Sequence, residues 1–171
     1  TFSLSGIPFG KLNLTYVQEA NRYTMQTNVA LTGLVKLFVK HESLSTSEGT
    51  GSNFRYPNNV YESQYATRNK PKYVKFTRKN GKVVSETVKP PDNRDTRPVV
   101  PSELKNQAVD PLLFGLMIRT KLFEAVRDGK KEFIVHYYDG RRLTKAFFKV
   151  GNDKILRIDG KKYAAYRAIA R

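Results

Sequence analysis

Residues 110–126 read DPLLFGLMIRTKLFEAV, and this stretch predicts the one long helix of the chain. Asp110 is placed to cap the first turn, and Pro111 to occupy the first helical position, where its fixed φ suits a helix. Apolar residues then fall on nearly every face of the first three turns, which is typical of a buried helix. The stretch is shorter than the roughly 20 apolar residues that span a bilayer, so we expect it to plug or cover a sheet.

The sequence leaves two interpretations of this helix open. In the first, its apolar side chains only fill the protein core. In the second, the helix lines a pocket for an apolar, lipid-like ligand. The candidate wall of that pocket consists of Phe114, Met117, Ile118 and Phe123.

The segments on both sides of the helix alternate apolar and polar residues with the period of two that β-strands require. Asn-Gly and Asp-Gly pairs separate several of these segments, at 80–81, 139–140 and 159–160. Such pairs favour tight hairpins, because the central residues of a type I′ turn both need a positive φ. Two-residue loops would place Arg78 opposite Val83, Phe76 opposite Ser85, Lys75 opposite Glu86, His136 opposite Leu143 and Tyr138 opposite Arg141.

Four other segments have weaker patterns. Residues 34–39 fit either a helical turn or a strand. We expect 41–52 to be an extended strand that leaves the core, 53–59 to be a loop, and 90–101, with its four prolines, to be an irregular connector.

The complete pattern predicts a mainly β protein, either a curved antiparallel sheet or a β-barrel of about nine to ten strands, with one buried α-helix. A length of 171 residues is within the range of one domain. Residues 1–171 are therefore expected to form a single β-barrel-like domain.

Composition limits the function in two ways. The chain has no cysteine, which excludes disulfide scaffolds, thiolate zinc sites and thiol catalysis. Its net charge of +16 predicts a surface that attracts polyanions such as nucleic acid, anionic lipid head groups or acidic envelope polymers. The charge is concentrated in residues 68–97 and 119–171, and the alternative is a diffusely basic, solubilising surface.

Few residues are candidates for chemistry. The two histidines, His41 and His136, are too few for a metal site, and a single histidine on a strand is more often structural. Arg141 and Arg142 follow Asp139 and Gly140, and their forked donors suit a phosphate or carboxylate, although the same residues also simply make a good turn. We expect no catalytic residue, no metal and no cofactor.

Five short motifs, in this order and spacing, give the chain a resemblance to a known family: GIPFG at 6–10, TGL at 32–34, Ser47 with Gly49, DPLLFGLMIR at 110–119 and YDGRR at 138–142. The chain resembles the bacterial domain of unknown function family 3108. The resemblance implies a β-barrel domain of the periplasm of Gram-negative bacteria, secreted by a signal peptide that is then removed, with no established activity. Leu113 and Phe114 depart from the family pattern, which has small or hydroxylated residues there.

Two functions follow from these observations. The first is an exported, periplasmic, non-enzymatic β-barrel protein that binds a lipid-like or other apolar ligand of the cell envelope and faces anionic envelope components. The alternative is a basic nucleic-acid- or polyanion-binding module, whose affinity would fall steeply with salt.

Overall fold

A meander of seven antiparallel strands occupies the first half of the chain, and its strand order follows the chain order. Antiparallel neighbours can be joined by a connection as short as two residues, as at 20–21 and 80–81. The computed structural model describes residues 2–4, 7–31, 41–52, 55–67, 70–91 and 99–170. The strands are β1 (Phe2–Leu4), β2 (Ile7–Glu19), β3 (Arg22–Leu31), β4 (His41–Ser52), β5 (Arg55–Thr67), β6 (Lys70–Lys79) and β7 (Lys82–Lys89).

The second half contains two helices and a separate three-stranded sheet in the order β10-β9-β8. The predicted long helix is confirmed over most of its length, since a turn over residues 111–113 leads into it and Gly129, at φ 67°, follows its end. The first, short helix was not predicted. The elements are α1 (Ser102–Gln107), α2 (Phe114–Arg127), β8 (Glu132–Tyr138), β9 (Leu143–Ile158) and β10 (Lys161–Ala170).

Residue Val109, just before α2, connects the two sheets. Its N–H donates to the carbonyl of His136 (3.0 Å), and its carbonyl accepts from the N–H of Tyr138 (2.8 Å), so it pairs in parallel with Tyr137 of β8. The Val109 side chain packs against apolar clusters on both sheets. The entrance to α2 therefore lies between the sheets.

The predicted burial of the whole helix is wrong, because α2 is only half-buried. Residues near its start, such as Leu113 and Leu116, pack with Tyr23 and Met25 of the large sheet. Phe114, Met117, Ile118 and Leu122 pack against the small sheet. The helix is apolar on several faces because two sheets use different faces, and the face that neither uses is open to solvent.

A closed barrel is likewise not formed by the described residues. The large sheet is a curled half-barrel whose outer strands, β1 and β7, do not pair with each other, and β8–β10 form a second sheet. The prediction of about nine to ten antiparallel strands is confirmed by the ten strands described, but they belong to two sheets. Neither α1 nor α2 is long and apolar enough to cross a membrane.

Two predicted hairpin registers are wrong, the first because of a bulge beyond its two-residue loop and the second because its loop is longer than two residues. Arg78 does lie opposite Val83, but a bulge at Val84 of β7 shifts the rest, so that Phe76 lies opposite Glu86 and Lys75 opposite Thr87. Lys75 instead binds Glu62 of β5, with Nζ 3.2 Å from Oε2. Between β8 and β9 the loop has four residues, which places His136 opposite Lys145 and Tyr138 opposite Leu143.

Two segments that the sequence predicts to lie outside the core belong to the large sheet. The predicted loop over 53–59 is wrong in its second part, because β5 begins at Arg55. The predicted exit of β4 from the core is also wrong, since Ser45 and Ser47 are buried. Residues 34–39, and 92–98 of the predicted connector, lie outside the described residues.

Candidate functional site

The carboxylate of Asp110 is fully buried at the entrance to α2. Its Oδ1 accepts hydrogen bonds from the N–H groups of Leu112 (2.9 Å) and Leu113 (3.0 Å). Its Oδ2 accepts from Ser47 Oγ (2.8 Å) and Asn59 Nδ2 (2.7 Å). The first pair closes the turn over residues 111–113. Because α2 begins only at Phe114, the prediction that Asp110 is its N-cap and Pro111 its first residue is wrong by one turn. The second pair ties the turn over residues 111–113 to β4 and β5.

Hydroxyl groups on the inner face of the large sheet extend this network. Tyr23 Oη lies 3.1 Å from Ser47 Oγ, and because the single hydroxyl hydrogen of Ser47 goes to Asp110, Tyr23 is the donor. Ser45 and Ser63, which face each other across β4 and β5, have their Oγ atoms 2.8 Å apart. Alternate residues of a strand share a face, so the serines at 45 and 47 both point inward.

Arg78 is the second buried charge of this region, and its Nη2 donates to the carbonyl of Lys105 (3.2 Å). Burial raises the pKa of Asp110, against the opposing effects of its hydrogen bonds and of the Arg78 charge. Burial also lowers the pKa of Arg78. All four of these hydrogen bonds to Asp110 come from groups of β4, β5 and the turn before α2, so the network joins these elements.

The buried side chain of Tyr61 makes the free energy of unfolding depend on pH. Burial raises its pKa to about 12, whereas an unfolded tyrosine ionises near 10. Its contribution to stability is therefore complete below pH 10 and is lost as the pH rises to 12. We expect the free energy of unfolding to fall by about 2–3 kcal/mol across this window because of Tyr61.

Denaturant titrations at several alkaline pH values measure this effect. Tyr61→Phe should flatten the curve between pH 10 and 12, whereas Tyr163→Phe, at an exposed position, should leave it unchanged. Equal slopes for all three proteins would contradict the assignment.

The four residues of the predicted apolar wall do not lie together. Phe114 packs its ring against Tyr137 (centroids 4.8 Å apart), and Met117 and Ile118 pack against the same sheet. Phe123 lies on the solvent side with 52% of its surface exposed, and the Arg119 guanidinium lies 5.5 Å from its ring centre. Three of the four therefore fill the core, and a ligand held by this wall stays a prediction.

Residues of the predicted anion site at the β8–β9 loop make hydrogen bonds within the protein. Asp139 Oδ1 accepts from the N–H groups of Arg141 and Arg142, both at 2.7 Å, which closes the turn. The Arg141 guanidinium donates to the carbonyls of Lys89 (3.0 Å) and Pro90 (3.1 Å), while Arg142 is exposed. These bonds attach the small sheet to the end of β7, and anion binding by the two arginines stays a prediction.

The two histidines lie in different sheets. His136 is half-buried in a pocket of about 330 Å³ between α2 and β8, where Glu124 is already bound to Lys121 (2.7 Å). His41 is the first residue of β4, and its side chain lies outside the described residues. Within the described ranges no three histidine or carboxylate side chains converge to hold a metal ion.

A larger pocket, of about 640 Å³, opens where the strands of the large sheet end. A cross-strand row crosses it from β3 to β7, with each member opposite the next: Asn28, Leu44, Gln64, Tyr73 and Lys89. A second row on the opposite face adds Ser43, Tyr65 and Lys72, so the pocket extends around the strand ends. The remaining described lining residues are Glu42, Ala66, Pro71 and Pro90.

Sequence reasoning missed both the polar network and this pocket. The alternating Ser and Thr of residues 41–52 were a visible signal, and a buried acid such as Asp110 gives such hydroxyls a reason to face inward. The pocket has no comparable signal, because its residues come from five strands and only the register brings them together.

The resemblance to the domain of unknown function family 3108 rests on the sequence motifs alone. Comparison with known proteins finds no family model, no curated protein and no solved structure that matches this chain.

Proposed function

We propose that this protein is a non-enzymatic binding protein of the Gram-negative cell envelope, exported to the periplasm, that holds an anionic amphiphile in the pocket at the strand ends. An anionic amphiphile is here a lipid-like molecule with an apolar body and an acidic head group. The observation that carries the proposal is the chemistry of the pocket lining. The periplasmic location is supported by the family resemblance.

The apolar part of the lining suits the body of such a ligand. Leu44, Tyr65, Ala66, Pro71 and Tyr73 supply aliphatic and aromatic surface, and Leu44 is 42% exposed although it is a large apolar residue. A volume of about 640 Å³ lies within the range of roughly 300–1,000 Å³ that small-molecule sites occupy. Filling the pocket would remove this apolar surface from water.

The charged part of the lining suits an acidic head group. Lys72 and Lys89 are opposed in the pocket by Glu42, which leaves an excess of one positive charge. The Lys72 ammonium lies 5.7 Å from the centre of the Tyr65 ring, at the boundary between the polar and apolar parts of the lining. An ammonium group offers three donors to a carboxylate or phosphate.

The non-enzymatic part of the proposal is supported by the hydrogen bonds that the buried ionisable groups already make within the protein. Asp110 caps the turn before α2, and Arg78 binds the carbonyl of Lys105. A catalytic acid or base needs contact with a substrate, and the Asp110 carboxylate has no exposed surface.

Lipid extraction tests the proposal directly. The folded protein is incubated with a bacterial lipid extract and re-isolated, and the bound lipid is identified by mass spectrometry. We expect an acidic lipid to be recovered with the wild-type protein and to be depleted with the variant Lys72→Glu/Lys89→Glu. The matched control is Lys79→Glu/Lys82→Glu, which reverses two exposed charges at the far end of the same hairpin.

A fluorescent fatty acid and its methyl ester separate the two parts of the site. Reversal of the pocket charges should weaken binding of the acid by at least about tenfold and leave the ester nearly unchanged, since only the acid carries a charge. Recovery of no lipid from well-folded protein, or equal losses in the pocket variant and the control, would contradict the proposed function.

A further inference from the structure

The hairpin of β9 and β10 extends well beyond the rest of the small sheet. β8 pairs with β9 only as far as Lys149, whereas β9 and β10 remain paired to the turn at Asp159 and Gly160. Residues 154–164 are exposed at every position. We call residues 154–167 the arm.

Large apolar side chains project from both faces of the arm. Leu156 lies opposite Tyr163 on one face, and Ile155 lies opposite Ala164 on the other. Ile155 is 71% exposed and Ile158 is 53% exposed. A two-stranded ribbon has no core of its own, so apolar residues on both of its faces indicate a surface that contacts something else.

The arm is also strongly basic. Asp159 is the only acidic residue of the arm. Five of its residues are basic: Lys154, Arg157, Lys161, Lys162 and Arg167. None of these five has an ion-pair partner in the part of the chain that the structure describes. Apolar and positive groups therefore alternate along the same exposed ribbon.

We propose that the arm docks the protein on an anionic phospholipid bilayer, with its aliphatic side chains inserted among the head groups. Ile155, Leu156 and Ile158 lie within five residues of the turn at Asp159, which at about 3.3 Å per residue keeps them near the tip. Interfacial segments bury their apolar side chains to a depth of roughly 5–10 Å. Lysine and arginine stems reach from such a depth to the lipid phosphates, and tyrosines such as Tyr163 suit the interface.

The chemistry of the arm favours a bilayer over two other partners. Single-stranded nucleic acid is bound by stacking bases on aromatic rings. The exposed rings of Tyr163 and Tyr166 suit such stacking, but the exposed aliphatic side chains of Ile155, Leu156 and Ile158 do not, and a bilayer accepts both kinds. A second copy of this chain would bring another net charge of +16 against the arm. An anionic bilayer satisfies both properties, because it attracts the basic groups and accepts the aliphatic ones.

This docking surface goes beyond the proposed function, since it uses no residue of the pocket. The pocket variant Lys72→Glu/Lys89→Glu should still bind vesicles, and the arm variants should still bind the fluorescent fatty acid. Failure of one proposal is thereby distinguishable from failure of the other.

A single introduced tryptophan reports insertion, because the chain contains no tryptophan. With vesicles that mix phosphatidylglycerol and phosphatidylcholine, the emission of Leu156→Trp should shift to the blue. The matched control is Val84→Trp, at an exposed position of β7, which should not shift. Vesicles of phosphatidylcholine alone should give little shift in either protein.

Vesicle sedimentation measures the contribution of charge. Each basic residue near the surface contributes roughly fivefold to partitioning. Replacing Lys154, Arg157, Lys161 and Lys162 with glutamine should lower partitioning by at least about thirtyfold. The matched control replaces Lys11, Arg22, Lys79 and Lys82, which are exposed on the large sheet, and should lose far less.

The aliphatic contribution has its own variant, Ile155→Ser/Leu156→Ser/Ile158→Ser, which keeps every charge and should lose at least about tenfold. The proposal is overturned if wild-type protein does not sediment with anionic vesicles, if the two charge variants lose equally, or if the serine variant binds normally. It is also overturned if Leu156→Trp shifts with single-stranded DNA, or with rising protein concentration, and not with vesicles.

Discussion

Replacing Asp110 with alanine is expected to lower the free energy of unfolding by about 3–5 kcal/mol. The change leaves four hydrogen-bond donors without their acceptor: the N–H groups of Leu112 and Leu113, the Ser47 hydroxyl and the Asn59 amide. It also leaves Arg78 buried without the carboxylate that attracts it. Urea denaturation followed by circular dichroism measures the loss.

Two further variants identify what is lost. Asp110→Ser keeps a short capping acceptor for the turn before α2 but does not reach β4 and β5, so it should recover only about 1 kcal/mol. Asp128→Ala, which removes two exposed ion pairs after the end of α2, should lower the free energy of unfolding by less than about 1 kcal/mol. A small effect of Asp110→Ala would show that the network contributes little, and that the buried polar groups reach water in the folded state.

Replacing Gly49 with alanine is expected to destabilise the protein by about 2–4 kcal/mol. A Cβ at this position of β4 would overlap the Asn58 carbonyl and would lie 2.8 Å from the Cα of Asn59. Both obstacles are backbone atoms of β5, so the two strands must separate. Separation would also move Asn59, whose amide binds Asp110.

Gly115→Ala is the matched control, because nothing lies within 4 Å of a Cβ at that exposed position of α2. It should raise stability by about 0.5–1 kcal/mol, since alanine favours a helix over glycine. The difference between the two variants should appear in the urea midpoint. If both glycines tolerate alanine equally, the close approach of β4 and β5 is not present in solution.

Local chemistry was sufficient to locate many strands. The turns predicted at 80–81, 139–140 and 159–160 agree with the structure, in which β7 begins at Lys82, β8 ends at Tyr138 and β10 begins at Lys161. Backbone conformation at such residues is decided by neighbours in the chain. The same holds for Asp110, whose capping bonds reach only two and three residues along the chain.

The register between paired strands could not be predicted from local chemistry. The bulge at Val84 moves Lys75 away from Glu86, and Glu86 then binds Lys105, with its Oε2 2.6 Å from Nζ. A bulge forms where packing across strands favours one extra residue, and that packing involves partners far away in the sequence. The missed start of β5 has the same origin, because residues 55–59 are held in the sheet by their pairing with β4 and β6.

The residues 110–126, by themselves, determined a helix that ends within one residue of Val126 and needs extensive apolar contact, although α2 begins only at Phe114. Only the tertiary structure decided that this contact is divided between two sheets, with Leu113 on one and Phe114 on the other. Likewise, the sequence determined the strong positive charge, and the pairing of β9 with β10 decided that basic and aliphatic residues share an exposed arm. The physical reason is that hydrogen bonds and side-chain propensities act between near neighbours, whereas burial depends on which distant surfaces meet.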